Sequence, residues 1–362
     1  MRLTVTSIPV PAPQEPPSQD VLDLVEVERA HHLALYGHED LVHDAHAVVT
    51  GLLRQERTAR RRLLVRDGQG RAVGSAHVTM PRTDNQHLGF FFPNWVPGSG
   101  VAQAEVYDAV WAVADEVLRA EGRTSVQSWA MHPVPDHEGA EVVWLTPSTG
   151  SGRVAQDDRA RWFASRGFAL EQVELYSVLD LGPDLDATRP GTGATTQDRP
   201  GDTAYRIRSW TGATPAGLRG GMARLYNRMS VDTPTGGIDY GEEQWDEAGV
   251  VEHDERAAAL GIVRLTTVAL DGEMPVAYTV IDHHPGVPAS ATQEETLVHG
   301  DHRGHGLGLA VKVANLEALR EAVPTVRRVH TWNAAENAHM LAINAALGFR
   351  EVGAQGGWQL RR

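Results

Sequence analysis

The sequence predicts two consecutive α/β domains, each with a mixed β-sheet covered by helices on both faces. Three observations support this prediction. The two halves repeat one order of helices and strands, a segment rich in Pro and Gly divides them, and each half places Gly-Phe directly after its last helix. The length of 362 residues also suits two domains, since a single domain usually spans about 100–200 residues.

The elements of the first half follow from apolar periodicity, with a spacing of three to four residues for helices and alternation for strands. The predicted helices span residues 21–36, 39–55, 102–121 and 158–165, and the predicted strands span residues 62–66, 72–79, 126–130 and 173–181. The pair Asp67-Gly68 favours a tight turn between the first two strands.

The second half repeats this order. Its predicted helices span residues 218–230, 242–255, 307–322 and 337–346, and its predicted strands span residues 205–210, 263–270, 276–282, 292–298 and 329–333, with further strand signals up to residue 360. Asp271-Gly272 favours the hairpin turn. Gly167-Phe168 and Gly348-Phe349 end the matching helices, where glycine suits a left-handed helix end and the aromatic ring packs back onto the sheet.

Two Pro- and Gly-rich segments favour linkers. One spans residues 8–19, and the other, residues 182–203, divides the chain nearly in half. We therefore predict domains at residues 1–181 and 204–362, with residues 182–203 as the linker between them.

Bulk composition restricts the function classes. The formal net charge of −14 disfavours a nucleic-acid partner and suits a cationic amine, although solubility alone also explains it. The absence of cysteine excludes disulfides and thiolate metal sites. No signal peptide and no membrane-spanning apolar run is predicted, so we expect a cytoplasmic protein without a membrane partner. Lys312, the only lysine among 33 basic residues, is interpreted as a composition bias.

The strongest local signal lies in residues 296–310, where a strand leads into a glycine-rich loop and then directly into a helix. Gly304, Gly306 and Gly308 allow backbone N–H groups to approach a ligand closely, and the helix start favours phosphate. Arg303 adds a positive charge. A plain strand–turn–helix is the alternative. The phosphate-loop motif G-x-x-x-x-G-K-[ST] is absent, and the glycine spacing does not fit a dinucleotide fold.

Residues 205–362 resemble the GNAT superfamily of acyl-CoA-dependent N-acyltransferases. The resemblance lies in Arg303-Gly-His-Gly306-Leu-Gly308, in Val298 five residues before the arginine, and in Asn337 followed by Leu347-Gly348-Phe349. It implies a transferase that uses acetyl-CoA as cosubstrate. The acetyl group would pass to a primary amine of a small molecule or peptide by direct attack in a ternary complex.

The resemblance also implies a role for each matched residue. Leu297 and Val298 would offer backbone groups to the pantetheine and the thioester, where two strands part. Asn333 and Asn337 would line the other wall, although Asn337 alternatively caps its helix and Asn333 alternatively lies in a strand-end turn. The pyrophosphate would be held by the amides of Arg303, Gly304, His305, Gly306, Leu307 and Gly308.

Acid–base residues are less well defined. Relatives often carry a Tyr as general acid where this chain has Asn344, which cannot donate a proton but can form a hydrogen bond to sulfur. For the base we predict Glu295 or Glu294, with strand alternation placing only one of them on the cleft face. An exposed strand start for both is the alternative.

Other polar residues are candidates for the same chemistry. Tyr278 is a further candidate base that also suits the core, and Tyr226 and Asp232 are candidates for contact with the acceptor. Three histidines at regular spacing, His299, His302 and His305, suggest a metal site. Because two of them fall inside the phosphate-binding loop, we expect no metal.

The first half has the same predicted fold without the motif. Its nearest match is Trp95-Val-Pro-Gly98-Ser-Gly100, and Phe163 stands at the position of the usual Tyr. We interpret it as a degenerate GNAT-like domain, either a structural partner or an acceptor-binding domain. The tandem arrangement is similar to the mycothiol synthase group.

Two alternatives to an N-acetyltransferase stay open for the whole chain, namely a non-catalytic acyl-CoA-binding sensor and a nucleotide-binding protein. We expect a monomer or homodimer.

Overall fold

The computed structural model describes residues 2–133, 142–182 and 205–362. The α-helices within these ranges are α1 Gln19–Tyr36, α2 Ala45–Leu53, α3 Gln103–Ala120, α4 Asp158–Ser165, α5 Arg219–Asp232, α6 Glu247–Ala259, α7 Leu307–Ala322 and α8 Ala338–Leu347. The strands of the first half are β1 Thr4–Ser7, β2 Thr58–Arg66, β3 Ala72–Pro81, β4 Leu88–Trp95, β5 Ser125–His132, β6 Trp144–Leu145, β7 Val154–Ala155 and β8 Ala169–Asp180. Those of the second half are β9 Arg206–Thr211, β10 Val263–Asp271, β11 Met274–His283, β12 Ser290–Val298, β13 Arg328–Ala334 and β14 Arg350–Arg361.

A single mixed sheet of twelve strands joins the two halves. Its order is β1-β2-β3-β4-β5-β14-β8-β13-β12-β11-β10-β9, and β6 and β7 form a separate hairpin. Neighbouring strands run antiparallel except for two parallel pairs, β4 with β5 and β12 with β13. The predicted α/β fold with a mixed sheet is therefore confirmed.

The order of strands is symmetric about the pair β8 and β14, and each half has its last strand inside the sheet of the other. The strand β14 pairs with β5 of the first half, and β8 pairs with β13 of the second half. Backbone hydrogen bonds consequently join the strands of the first half to those of the second within one sheet. Of the predicted linker, residues 183–203 lie outside the described ranges.

Helices cover both faces of the sheet, because successive residues of a strand point in opposite directions. Leu63 packs with α3 and α4, whereas Leu64 packs with α1 and α2. In the second half Val268 packs with α5 and α6, and Ala269 packs with α7 on the other face. No described helix is long and apolar enough to cross a membrane.

Most predicted elements are present, and the errors have local causes. The strands β1 and β4 were missed, since β4 carries Gly89 and Pro93, which break the alternating pattern. The helix predicted from residue 39 begins only at Ala45, because the side chain of Asp44 caps it by accepting from the Ala47 amide at 2.8 Å. Gly167 and Gly348 both end helices in the left-handed conformation, as predicted.

Candidate functional site

A cleft opens in the second half where two parallel strands part. The strands β12 and β13 pair only between residues 290–292 and 328–330. Beyond Gln293, β12 has no partner strand on this side, so alternate backbone groups of Glu295 to Val298 face the gap. The cavity measures about 900 Å³ and is lined by β12, β13 and the starts of α7 and α8. Leu297 and Val298 lie on its wall, where the sequence predicted them.

The predicted phosphate-binding loop lies at the end of this cavity. Gly304 and Gly306 adopt φ angles of 83° and 73°, in the left-handed region that favours glycine, and Gly306 directly precedes α7. In the part of the chain that the structure describes, no main-chain carbonyl accepts from the amides of Gly304, Gly306, Leu307 or Gly308. These amides and the positive end of α7 form a cradle that suits a pyrophosphate.

Arg303 anchors this loop to α5. Its Nη2 donates to Oδ2 of Asp232 at 2.8 Å, and its Nε donates to the carbonyl of Val298 at 3.2 Å. Asp232 was a candidate for acceptor contact, but its carboxylate is bound to Arg303 and also to Arg228. The charge of Arg303 is therefore partly neutralised by Asp232, while its side chain also holds the loop in place.

Asn333 and Asn337 line the opposite wall. The Oδ1 of Asn337 accepts from the Met340 amide at 3.3 Å, so this residue also caps α8, as its alternative interpretation held. Asn333 lies within β13 opposite Leu175 rather than in a turn. The side chain of Asn333 accepts a hydrogen bond from Nδ2 of Asn344 at 2.6 Å. The two walls thus differ, one offering backbone groups and the other side-chain amides.

A buried lysine, which sequence reasoning attributed to composition, lines the same cavity. Lys312 is 1% exposed, and its Nζ donates to Oδ1 of Asn344 at 2.8 Å. Burial lowers the pKa of Lys312 to about 7. A lone lysine within the apolar stretch of a predicted helix was the available signal, because such a residue is rarely buried without a function.

Both candidate bases face the cavities, because β12 contains a β-bulge. Thr279 is opposite Thr296 while Ile281 is opposite Gln293, so Glu294 and Glu295 together face one residue of β11. The prediction that only one of them faces the cleft is therefore wrong, since a bulge interrupts alternation. The alternative, an exposed strand start, holds in part: both side chains are exposed, but they lie in the middle of β12.

The surroundings of the two glutamates shift their protonation. Burial raises the pKa of Glu294 to about 8, with Asp282 and Glu295 adding to the effect. Burial also raises the pKa of Glu295, although a hydrogen bond of 3.0 Å from the hydroxyl of Tyr278 opposes this. Both side chains nevertheless remain exposed to solvent, because the cavities that they line are open. Tyr278 is itself fully buried, as its core interpretation predicted.

The first half contributes an acid that the sequence did not indicate. Glu174 lies on β8 and lines the same cavity together with a smaller recess of about 260 Å³. Burial and the nearby Glu336 raise its pKa to about 7. Tyr226 and Glu295 line this recess too. Tyr226, a predicted contact of the acceptor, therefore lies in the same recess as a candidate base. Glu174 reaches the site only because β8 belongs to the sheet of the second half.

The loop histidines serve local contacts. Nδ1 of His302 lies 3.0 Å from the hydroxyl of Tyr205, and Nδ1 of His299 lies 3.6 Å from Asp301. His305 packs beside Tyr205. These three histidines do not converge on a common point of the kind that a metal needs.

A different trio has metal-like spacing among the described residues, namely His38, Asp40 and His330. However, Arg328 donates to both oxygens of the Asp40 carboxylate, and His330 Nε2 lies 3.1 Å from one of them. An arginine bound in this way repels a cation. The trio is thus an ion-paired network that joins the two halves.

The corresponding part of the first half has a loop that is bound to itself. The strands β4 and β5 pair only between residues 88–90 and 125–127, and then part. The indole N–H of Trp95 donates to the carbonyl of Val101 at 2.9 Å, which ties the loop to itself. Phe163 is fully buried and stacks on Trp358, with ring centroids 5.4 Å apart. That the first half is degenerate toward acyl-CoA stays a prediction.

Comparison with solved structures gives the same architecture. A tandem GNAT protein from the clavulanic acid biosynthesis pathway is similar with a TM-score of 0.73 and 24% identity, over 99% of this chain and 98% of that chain. A GCN5-related N-acetyltransferase from Sphaerobacter thermophilus has a TM-score of 0.58 and 15% identity, over 99% and 95%. A glucosamine N-acetyltransferase region of a fungal β-N-acetylglucosaminidase has a TM-score of 0.60 and 14% identity, over 99% of this chain and 38% of that one.

No protein-family model matches the sequence, and no curated protein matches it either. The similar solved structures therefore show the fold of this chain and not its substrate. The chain has a tandem GNAT fold, as the sequence predicted. The narrower similarity to the mycothiol synthase group stays a prediction.

Proposed function

We propose that the chain is an N-acyltransferase that transfers an acetyl group from acetyl-CoA to a primary amine of a small molecule or peptide. The observation that carries this proposal is the cavity between β12 and β13. One end holds the amides of Gly304, Gly306, Leu307 and Gly308, from which no described main-chain carbonyl accepts. The glutamates of the β12 bulge lie along the same cavity. A diphosphate at one end and an amine at the other fit this arrangement.

The cosubstrate would be held mainly by backbone. The amides from Gly304 to Gly308 suit the pyrophosphate, and the free edge of β12 at Leu297 and Val298 suits the amide groups of pantetheine. Asn333 and Asn337 would face the same chain from β13 and α8. This places the thioester near the bulge, because Glu295 lies two residues before Leu297 on the strand.

The amine must lose a proton before it attacks, since an alkyl ammonium has a pKa of about 10. Glu295 and Glu294 are positioned to accept this proton. Their raised pKa values bring them closer to the pKa of the ammonium, which reduces the cost of the transfer. We favour Glu295, because the Tyr278 hydroxyl holds its carboxylate in place.

A second proton transfer is needed at the leaving group. When the C–N bond forms and the C–S bond breaks, coenzyme A leaves as a thiolate, which must be protonated. Asn344 cannot supply this proton, but Lys312 lies directly behind Asn344 and lines the cavity. With a pKa of about 7, Lys312 is partly protonated at neutral pH. A free thiol titrates near pKa 8.5, so transfer from Lys312 to the thiolate is favourable. We assign Lys312 as proton donor and Asn344 as its positioning residue.

Two measurements on the full chain test the proposal. Calorimetric titration with acetyl-CoA should give one site per chain, and release of free coenzyme A should follow when primary amines are added. No heat with any acyl-CoA would refute the loop assignment. Two sites per chain would refute the degenerate interpretation of the first half. Binding without turnover across the amine panel would instead support the acyl-CoA-binding sensor.

A further inference from the structure

A second cavity lies between the two halves, and the cosubstrate does not account for it. We name it the inter-half cavity. It measures about 570 Å³ and is bounded by α1, α2, α4 and β2 to β5 of the first half and by α6, β10 to β12 and β14 of the second. Glu294 and Glu295 line both this cavity and the cosubstrate cleft, so the two meet at the proposed base.

Positive charge dominates the lining of this cavity. Six arginines face it, namely Arg54, Arg60, Arg62, Arg159, Arg256 and Arg264. Apart from the two bulge glutamates, two acids of the described ranges line it, and both are already paired. Glu28 binds Arg62 at 3.1 Å, and Asp282 binds Arg264 through two hydrogen bonds of 2.8 and 2.7 Å.

Four of these arginines have no carboxylate partner among the described residues, and Arg60 and Arg256 are the two of them that are half-buried. Arg60 donates from Nη1 to the carbonyls of Arg54 and Thr58, at 2.8 and 3.2 Å. The side chain of Arg256 forms no hydrogen bond or ion pair with any described residue. Burial lowers the pKa of Arg60 to about 10, and the charge of Arg256 adds to this effect. Both guanidinium groups are half-buried and line the same cavity, which is an arrangement that an anion stabilises.

Nearby acids do not neutralise this pair. Glu252 lies on the outer side and binds Arg57 at 2.6 Å. Glu56 also lies outside the cavity and is exposed. Glu243 also attracts Arg256 but does not line the inter-half cavity, so neither arginine has a carboxylate in ion-pair contact inside it.

Unpaired polar atoms provide independent evidence for a polar ligand. His32 Nδ1, His77 Nε2 and Ser128 Oγ are buried, line the cavity and have no hydrogen-bond partner. Buried polar groups are normally satisfied, and those that are not often mark a ligand or water site. Burial lowers the pKa of His32 to about 4 and that of His77 further, so both rings are neutral at pH 7. They offer hydrogen bonds rather than charge.

We propose that the inter-half cavity binds the acceptor, and that the acceptor is a small amine that also carries a carboxylate or phosphate group. The anionic group lies against Arg60 and Arg256, the neutral histidines bind its polar body, and its amine faces Glu294 and Glu295. This rests on the proposed function for the transfer step, but binding to the cavity does not. It also assigns the first half a role as one wall of the acceptor site.

The test uses pairs of amines that differ only in the anionic group. The full chain is assayed for coenzyme A release with β-alanine against β-alaninamide, with phosphoethanolamine against ethanolamine, and with putrescine as a purely cationic amine. We expect a lower KM for the anionic member of at least one pair, and which pair responds separates carboxylate from phosphate. Equal use of acid and amide, together with preference for putrescine, would overturn the proposal.

Variants separate this proposal from the proposed function. Arg256→Gln should raise the KM for the preferred anionic amine about tenfold, as expected for loss of one charge-assisted contact, while acetyl-CoA affinity is unchanged. Arg57→Gln, at an exposed ion pair, is the matched control. If no amine is acetylated, calorimetric binding of the anionic amines to the chain alone still tests the cavity. Unchanged KM or affinity in Arg256→Gln, with an unchanged unfolding temperature, refutes the assignment.

Discussion

The Nζ of Lys312 lies 2.8 Å from Oδ1 of Asn344, and this contact connects the core of the second half to its cleft. Asn344 in turn donates to Asn333 on β13. The chain of three side chains runs from a fully buried cation to the wall of the cosubstrate cavity. A proton donor can therefore act here although the residue at position 344 carries no acidic proton.

Lys312→Met should lower kcat by about tenfold to a hundredfold, at or below the lower end of general acid–base contributions. A thiolate is a good leaving group, which keeps the loss small. The affinity for acetyl-CoA should be unchanged. In the parent, kcat should fall as pH rises through about 7, where Lys312 loses its proton. This alkaline decrease should vanish in the variant. An unchanged decrease would exclude Lys312 as the donor.

The same substitution makes a prediction for stability. The folded pKa of Lys312, about 7, lies below its ordinary value of 10.5. Burial of the charged form thus costs stability fully below pH 7, and the cost disappears as pH rises toward 10.5. Lys312→Met should gain most over the parent at pH 6 and least at pH 10. Chemical denaturation at both pH values measures this, and Lys312→Arg, which stays charged, is the control.

Glu295→Gln and Glu294→Gln separate the two candidate bases. Loss of the true base should lower kcat/KM by about a hundredfold or more, whereas loss of its neighbour should lower it much less. Since Glu294 has a raised pKa of about 8, rates that depend on its carboxylate rise up to that pH. Initial rates from pH 6 to pH 9 give the profile of each variant. Comparable small losses in both would show that neither is the base.

Features that depend on a few neighbouring residues could be predicted from the sequence, whereas features that depend on distant strands could not. The loop around Gly306 was predicted because glycine spacing and a helix start act over a few residues. The bulge at Glu294 was missed, since pairing with β11 rather than local sequence creates it. Glu174 was missed because it reaches the site through a strand exchanged between halves. Lys312 was visible in the sequence, but only its burial reveals its chemistry.

Gly306→Glu should abolish measurable acetyl-CoA binding, because it adds a negative charge to a phosphate cradle and strains a residue with a φ of 73°. Gly98→Glu is the matched control, since Gly98 has a φ of 74° in the equivalent loop of the first half and equally open surroundings. Calorimetry should find full binding in the control. Loss of binding in both variants would point to a general fold defect or to a site in the first half.

Asp40 should be essential for the joint between the halves. It lies before α2, yet it binds Arg328 and His330 of β13. Burial favours a higher pKa for Asp40, but the hydrogen bonds from His330 and Arg328 outweigh this and hold the pKa below its ordinary value of 3.8. Because the folded pKa is lowered, this stabilisation is present above pH 4 and is lost as pH falls further.

Asp40→Asn should therefore lower the free energy of unfolding by about 1–3 kcal/mol at pH 7, the usual effect of leaving a charged partner unmatched. The difference from the parent should shrink below pH 4. Asp301→Asn is the control, since Asp301 is exposed in the loop. Denaturant unfolding followed by tryptophan fluorescence at pH 7 and pH 3.5 measures both variants. A deficit in Asp40→Asn that stays constant with pH would show that packing, and not the ion pair, joins the halves there.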